Sequence, residues 1–275
     1  MGQYGLREVE RIISAATKAA RIVTDSALTE HEVNEEKGKG NFVTKYDVAV
    51  QEYLIRALSA AFPEASFFAE EKKDNLLTDA PTFIIDPIDG TANFVFGLRH
   101  SGISIALCVE KKAVLAVVIN PYSDEVFYAV RGEGAYLRAR GTDRRLSVMD
   151  ASLSETPVLV GTDPYRKNET GAITAALLAH TLKHGMDVRR FGAACLDLAY
   201  VAAGRAGLFF ELRLSPWDYA AGLLLVEEAG GTVTDLQGNE LCFTPSSVLA
   251  GCAKAHAEFK RVVLPAAMAE AKKLI

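Results

Sequence analysis

From Leu6 to about Thr24 the apolar positions Val9, Ile12, Ile13, Ala16, Ala20 and Val23 recur at helical spacing, which predicts an amphipathic first helix. The polar stretch Thr29 to Asn41, rich in Glu, Lys and Gly, reads as a mobile loop. Asp47 opens a second helix with Val50, Tyr53, Leu54, Ala57, Leu58 and Ala61 on one face, and Pro63 closes it. Short apolar runs follow, Ser66 to Ala69 and Thr82 to Ile85, each with the look of a strand. Gly102 to Val109 with Ala113 to Asn120, and Glu125 to Val130 with Ala135 to Ala139, are hairpin patterns. This half is expected to be helices packed on an antiparallel sheet. After about Ser147 the texture changes. Strand candidates Pro157 to Val160, Gly207 to Glu211, Thr232 to Thr234 and Val248 to Ala250 are interleaved with helical stretches. Those helices run from Asn168 to His184, Ala194 to Ala203 and Pro216 to Glu228, the last with Pro in its first turn. A final helix from about Ala255 to Lys273 contains Pro265, where a kink is expected.

The fold class is therefore α/β: an α+β half over residues 1–146 and an α/β half over 147–275. No internal repeat or low-complexity linker separates them, so one compact unit with an extensive shared interface is expected. At 275 residues and 49% hydrophobic, the chain can bury a large core. A net charge of −5 argues against nucleic-acid or anionic-membrane partners, so a small anionic ligand must be held by local charges and dipoles. No apolar run reaches the length of a membrane span, and the acidic amphipathic start is unlike a signal peptide; a cytoplasmic location is expected. Cys108, Cys195, Cys242 and Cys252 lie far apart without a CxxC pair, which reads as reduced, mostly buried thiols.

The chemistry concentrates in Thr82 to Phe94, TFIIDPIDGTANF. An apolar strand delivers Asp86, Pro87 forbids a further ladder hydrogen bond, and Asp89 follows in the same tight bend. Two carboxylates so close repel each other unless a cation lies between them, and hard oxygens suit Mg²⁺. The Ile88 carbonyl is free of sheet pairing and offers another oxygen. Gly90 lets a bulky anion approach the backbone, and Thr91 adds a hydroxyl and an N–H beside it. Taken alone, DxxDG is equally an Asx-rich turn.

The whole string DPIDGTANF resembles the signature of the inositol monophosphatase family, Mg²⁺-dependent phosphatases of small phosphate monoesters. Trp217 to Gly222 with Glu227 to Gly231 resembles the family's WDxAAG…EAGG element, and Val43 to Asp47 its VTxxD element. Glu70-Glu71 stands where the family has Gly-Glu-Glu, with Ala69 replacing the Gly. The resemblance implies a layered α-β-α-β-α sandwich of the inositol monophosphatase and fructose-1,6-bisphosphatase type, a homodimer, two or three Mg²⁺ per site and sensitivity to Li⁺. It further implies that Glu70, Asp86 and the Ile88 carbonyl hold one metal, and that Asp86, Asp89 and Asp218 hold a second. Asp47 and Thr91 would orient and activate the attacking water, with Glu70 counted among the catalytic groups. Ile88, Asp89, Gly90, Thr91, Ala194, Glu211 and Asp218 would contact substrate, Glu211 on the hydroxyls. Lys37 or Lys39 falls near the family's loop lysine. Considered without the family, Asp47 and Asp218 have the simpler role of helix N-terminal acids. The implied substrate is a small phosphorylated polyol or sugar, inositol 1-phosphate foremost. Fructose 1,6-bisphosphate, histidinol phosphate, NADP or a 3′-phosphoadenosine nucleotide are alternatives, and a non-catalytic regulatory protein on the same fold is the rival class.

Overall fold

The computed structural model describes residues 4–26, 33–35 and 42–272. Helix α1 (Leu6–Thr24) is followed by the short paired strands β1 (Val33–Glu35) and β2 (Phe42–Thr44) and by α2 (Lys45–Ala61). Thus part of the expected Thr29–Asn41 loop is strand, and the remainder, with Lys37 and Lys39, lies outside the described residues. A seven-stranded sheet takes β3 (Ser66–Ala69), β4 (Thr82–Asp89), β5 (Gly102–Val109), β6 (Lys112–Asn120), β7 (Glu125–Val130), β8 (Gly134–Ala139) and β9 (Thr142–Arg145), in that order. Helix α3 (Thr91–Val95) sits between β4 and β5. A five-stranded sheet, ordered β11-β10-β12-β14-β13, is built from β10 (Pro157–Val160), β11 (Asp187–Arg189), β12 (Leu208–Leu214), β13 (Thr232–Thr234) and β14 (Ser246–Gly251). Around it lie α4 (Lys167–His184), α5 (Ala194–Ala202), α6 (Pro216–Glu228), α7 (Ala253–Glu258) and α8 (Leu264–Ala271).

The pleat explains the layering. Successive strand residues face opposite sides, so Phe83 and Ile85 point one way and Ile84 the other. Phe83, Ile85, Ile105 and Val117 pack under Val9 and Ile12 of α1 and Val50 and Leu54 of α2. On the opposite face, Ile84, Ala106 and Val118 meet Leu198 of α5, Leu224 of α6, and Phe209 and Ala250 of the second sheet. The far face of that sheet, with Val158, Leu208, Phe210 and Leu249, packs on Leu177 of α4 and on Phe259 and Ala267 near the C-terminus. The order is helix, sheet, helix, sheet, helix, as expected. Gly222 on α6 is required by this packing, since a Cβ there would lie 2.5 Å from the Leu198 side chain.

Three details differ from the sequence reading. Strands β3 and β4 are parallel rather than antiparallel, because residues 70–81 return the chain to the starting edge before β4 begins. Glu70 and Asp86 therefore emerge at the same end of the sheet. Second, β4 continues through Pro87 to Asp89; a bulge between Asp86, opposite Ser104, and Asp89, opposite Gly102, absorbs the proline that cannot donate to the ladder. Third, the irregularity near Pro265 precedes it, as a π-helical turn over Phe259–Val263 that ends where α8 starts with Pro265 in its first turn.

One buried polar pair in this frame has a pH signature. His256 of α7 is 6% exposed, its Nε2 lies 3.1 Å from the Thr234 hydroxyl, and burial, reinforced by Lys260, lowers its pKa from 6.5 to about 4. The unfolded chain takes up this proton below pH 6.5, whereas the folded chain resists until about 4. Stability is thus lost as pH falls across that window. His256→Gln is expected to lose less stability between pH 6.5 and 4 than the wild type in urea denaturation; parallel losses would refute the assignment.

Candidate active site

The site forms where β3 and β4 end and where α2, α3, α5 and α6 begin. At the end of β4, Asp86, Asp89 and Asp218 can each place one carboxylate oxygen within 4.8 Å of the others, a grouping able to hold a metal ion. Glu70, just past β3, lies within hydrogen-bonding reach of Asp86 and so joins the cluster through it. Burial, then the charge of the neighbouring acids, pushes Glu70, Asp86 and Asp218 well above the ordinary carboxylate range. Asp89 is raised less: burial acts upward, while N–H groups at the start of α5 and the charge of Arg190 act downward. The Cys195 N–H donates to Asp89 Oδ2 at 2.6 Å, so the N-terminal turn of α5 steadies this carboxylate.

Two of the acids serve two purposes at once. Asp47 and Asp218 each occupy the third position of a helix and complete a capping box. Asp47 Oδ2 accepts from the Thr44 N–H at 2.7 Å and from its hydroxyl at 2.6 Å. Its other oxygen, Oδ1, lies 3.3 Å from Thr91 Oγ1. Asp218 Oδ2 accepts from the Ser215 N–H at 2.6 Å while the carboxylate faces the acid cluster. The simple role of cap and the chemical role are compatible because a carboxylate has two oxygens. Asp47 starts no helix, contrary to the sequence reading; Thr44 is the N-cap and α2 begins at Lys45.

Thr91 Oγ1 also lies 3.0 Å from the Ile88 carbonyl. Its single proton goes to Asp47 or to Ile88, which leaves its lone pairs for a donor in the cavity. Gly90 has φ 85°, and a Cβ there would fall 2.8 Å from the Gly192 carbonyl, so the turn admits no side chain. Asn93 Nδ2 ties this turn to the start of α5, donating to the His100 carbonyl at 2.8 Å and the Phe191 carbonyl at 2.7 Å.

These groups line one cavity of about 500 Å³, within the range for small-molecule sites. Its walls include Glu70, Asp86, Ile88, Asp89, Gly90, Thr91, Ala194, Glu211 and Asp218, all named from the sequence. Asp47 lies behind Thr91 rather than on the wall. Glu211 is 8% exposed and accepts from the Asp163 N–H at 2.9 Å; burial pushes its pKa up to about 7. Its carboxylate occupies the place a side chain at position 161 would need, since a Cβ on Gly161 would fall 1.9 Å from Glu211 Cδ. Gly161→Ala is therefore expected to displace Glu211 and, where Glu211 contacts the substrate as the family resemblance implies, to raise KM about tenfold, the loss of roughly one charge-assisted hydrogen bond, with a smaller change in kcat. Steady-state kinetics checks this.

Asp163, Asp197, Arg166, Arg190 and Arg213 also line the cavity and were missed. Arg190 belongs to the stretch Arg189–Ala194, RRFGAA, which ends at the Ala194 named above, and Asp197 lies one turn beyond it, so that stretch held a signal; no local pattern marks Asp163, Arg166 or Arg213.

A layered α/β scaffold presenting buried acids and a helix start to one small cavity defines a metal-binding, small-ligand class of protein. The chain belongs to the inositol monophosphatase family, whose family model matches residues 6–267. It is 40% identical over 217 residues to an inositol-1-monophosphatase of Rhizobium meliloti, covering 78% of this chain and 80% of that protein. It is 36% identical over 244 residues to Nus factor SuhB of Escherichia coli, covering 87% and 89%. Among solved structures, the IMPase of Thermotoga maritima superposes with a TM-score of 0.85 at 31% identity, over 97% of this chain and all of that one. Among the described residues, no helix is long and apolar enough to cross a membrane.

Proposed function

We propose that this chain is a Mg²⁺-dependent phosphatase of a small phosphate monoester, with inositol 1-phosphate the foremost substrate. The observation that carries the reading is the acid cluster of Asp86, Asp89 and Asp218, with Glu70 joined through Asp86, beside the Gly90–Thr91 helix start. Four clustered carboxylates with raised pKa values, Asp86 and Asp89 buried and Glu70 and Asp218 half-buried, suit a bound divalent cation, and an all-oxygen donor set suits Mg²⁺. Glu70, Asp86 and the Ile88 carbonyl would hold one ion, and Asp86, Asp89 and Asp218 another. When bound, Mg²⁺ supplies Lewis acidity toward water and the phosphoryl oxygens.

The protein's own groups supply position and proton handling. The first residues of α3 leave N–H groups unpaired within the helix, available to phosphoryl oxygens. Thr91 Oγ1 accepts from the attacking water, and Asp47 stands behind it as the group able to take the proton. Burial raises the pKa of Asp47, which makes it a better base. The water oxygen bonds to phosphorus as the bond from phosphorus to the alcohol oxygen breaks, and the departing oxygen takes a proton from solvent to leave as the alcohol. Glu211, held by the Asp163 N–H, orients the alcohol's hydroxyls, with Ala194 beside them. Asp47→Asn and Thr91→Val are each expected to lower kcat by about 10²–10⁴-fold, the range for a lost acid–base group.

The relatives named Nus factor SuhB favour a second reading, a non-catalytic regulatory protein on this fold. Phosphate release from inositol 1-phosphate, fructose 1,6-bisphosphate, histidinol phosphate, NADP and a 3′-phosphoadenosine nucleotide, with Mg²⁺ or with chelator, separates the two. Mg²⁺-dependent release inhibited by Li⁺ supports the phosphatase; no release from any of them supports the regulator.

A further inference from the structure

Cys195, the second residue of α5, is fully buried, lies against Asp89 and takes no part in the cavity wall. Its N–H donates to Asp89 Oδ2 at 2.6 Å, and its thiol lies within hydrogen-bonding reach of the same carboxylate. The Ala194 N–H bonds that carboxylate as well. One residue thus offers Asp89 two donors, one from the backbone and one from the side chain.

The fold makes room for the sulfur. Gly102 stands opposite Asp89 in the pairing of β4 with β5, and a Cβ on it would fall 2.3 Å from Cys195 Sγ and 3.1 Å from the Leu196 side chain. A larger residue at position 102 would drive the thiol from its place beside the carboxylate. Apolar packing alone does not call for this arrangement, because a buried carboxylate is costly beside an apolar surface and gains from a donor. A thiol, with an ordinary pKa of about 8.5, keeps its proton at neutral pH and can supply it as a weak donor.

Independently of the sulfur, Asp89 belongs with Asp86 and Asp218 to the grouping able to hold a metal ion. Each donor fixed on Asp89 narrows the orientations its carboxylate can take, so less freedom is lost when a cation binds. We propose that Cys195 is a positioning residue for the cation held by Asp86, Asp89 and Asp218: its thiol donates to Asp89 and keeps that carboxylate in the orientation the ion needs. This role rests on the phosphatase reading and adds a residue outside its ligand set.

The test is the Mg²⁺ concentration at the midpoint of the rise in melting temperature, measured without substrate in the wild type, Cys195→Ala and Cys195→Ser. Each protein is referred to its own melting temperature in chelator, so a general loss of packing cancels. Cys195→Ala is expected to raise the midpoint about fivefold, the scale of one ordinary hydrogen bond. Cys195→Ser, whose hydroxyl is also a donor, is expected to stay within about twofold of the wild type. In phosphate release, Cys195→Ala should need more Mg²⁺ while its kcat at saturating Mg²⁺ stays near that of the wild type, since Cys195 touches no substrate. A Cys195→Ala midpoint equal to the wild type's overturns the proposal. A Cys195→Ser midpoint displaced as far as that of Cys195→Ala overturns it too, and marks a packing role. A wild type whose melting temperature ignores Mg²⁺ removes the cation reading itself, and this proposal with it.

Discussion

Asp86→Asn is expected to lower Mg²⁺-dependent phosphate release at least ~10³-fold, since it removes the one carboxylate shared by both proposed ion sites. The geometry sets Asp86 apart from its neighbours. Glu70 and Asp218 are each within hydrogen-bonding reach of it, and Asp89 follows three residues later on the same bulge. Asparagine is nearly isosteric and keeps an oxygen, so the bulge opposite Ser104 and Gly102 should persist. Colorimetric phosphate release measures the rate, and circular dichroism verifies the fold. Wild-type-like turnover in a folded variant would remove Asp86 from the site.

The second large effect concerns stability without metal. Glu70, Asp86, Asp89 and Asp218 all have folded pKa values above their ordinary ones, chiefly through burial. Such groups keep their protons in the folded chain while the unfolded chain releases them above about pH 4. The folded state then binds more protons, so this contribution is fully present in acid and is lost as pH rises. Other acids act oppositely: Glu10 and Asp143, held by Arg138, have lowered values and favour the fold at higher pH. The difference between Asp86→Asn and the wild type isolates the cluster. In chelator, the variant's relative stability is expected to increase from pH 4 to pH 8. Mg²⁺ should reverse the order, stabilising the wild type by ~2.7 kcal/mol at a hundred times its Kd. That corresponds to a rise of roughly 5–10 °C in Tm for a chain of this size. Melting curves at several pH values, with chelator and with Mg²⁺, test both parts. A wild type indifferent to Mg²⁺, or a variant advantage that shrinks as pH rises, contradicts the electrostatic picture.

Much of this was legible because the site is built from local devices. The Asp86–Thr91 turn lies within one short segment, and Asp47 and Asp218 sit at helix starts where an acid is visible as a cap. That the same carboxylates both cap and face the cavity was not legible; it depends on where α2 and α6 point after packing. The parallel pairing of β3 and β4 was hidden too, because strand direction is set by residues 70–81, which carry no periodic pattern. Glu211 was named, yet its support was not: the Asp163 N–H comes from the end of a neighbouring strand. The need for Gly at position 161 shows only when Glu211 is seen filling the space. The arginines lie in segments whose side chains converge only in three dimensions. Fold class and layering were readable because hydrophobic periodicity reports burial directly, whereas partners across the cavity are long-range facts.

The most direct measurement is anomalous diffraction from crystals grown with Mn²⁺, a scatterer that takes the same oxygen ligands as Mg²⁺. Peaks are expected among Glu70, Asp86, Asp89, Asp218 and the Ile88 carbonyl, and the peak sharing Asp86, Asp89 and Asp218 should vanish in Asp218→Asn. Occupied peaks elsewhere, with none between these oxygens, would contradict the claim that the clustered acids exist to hold catalytic cations.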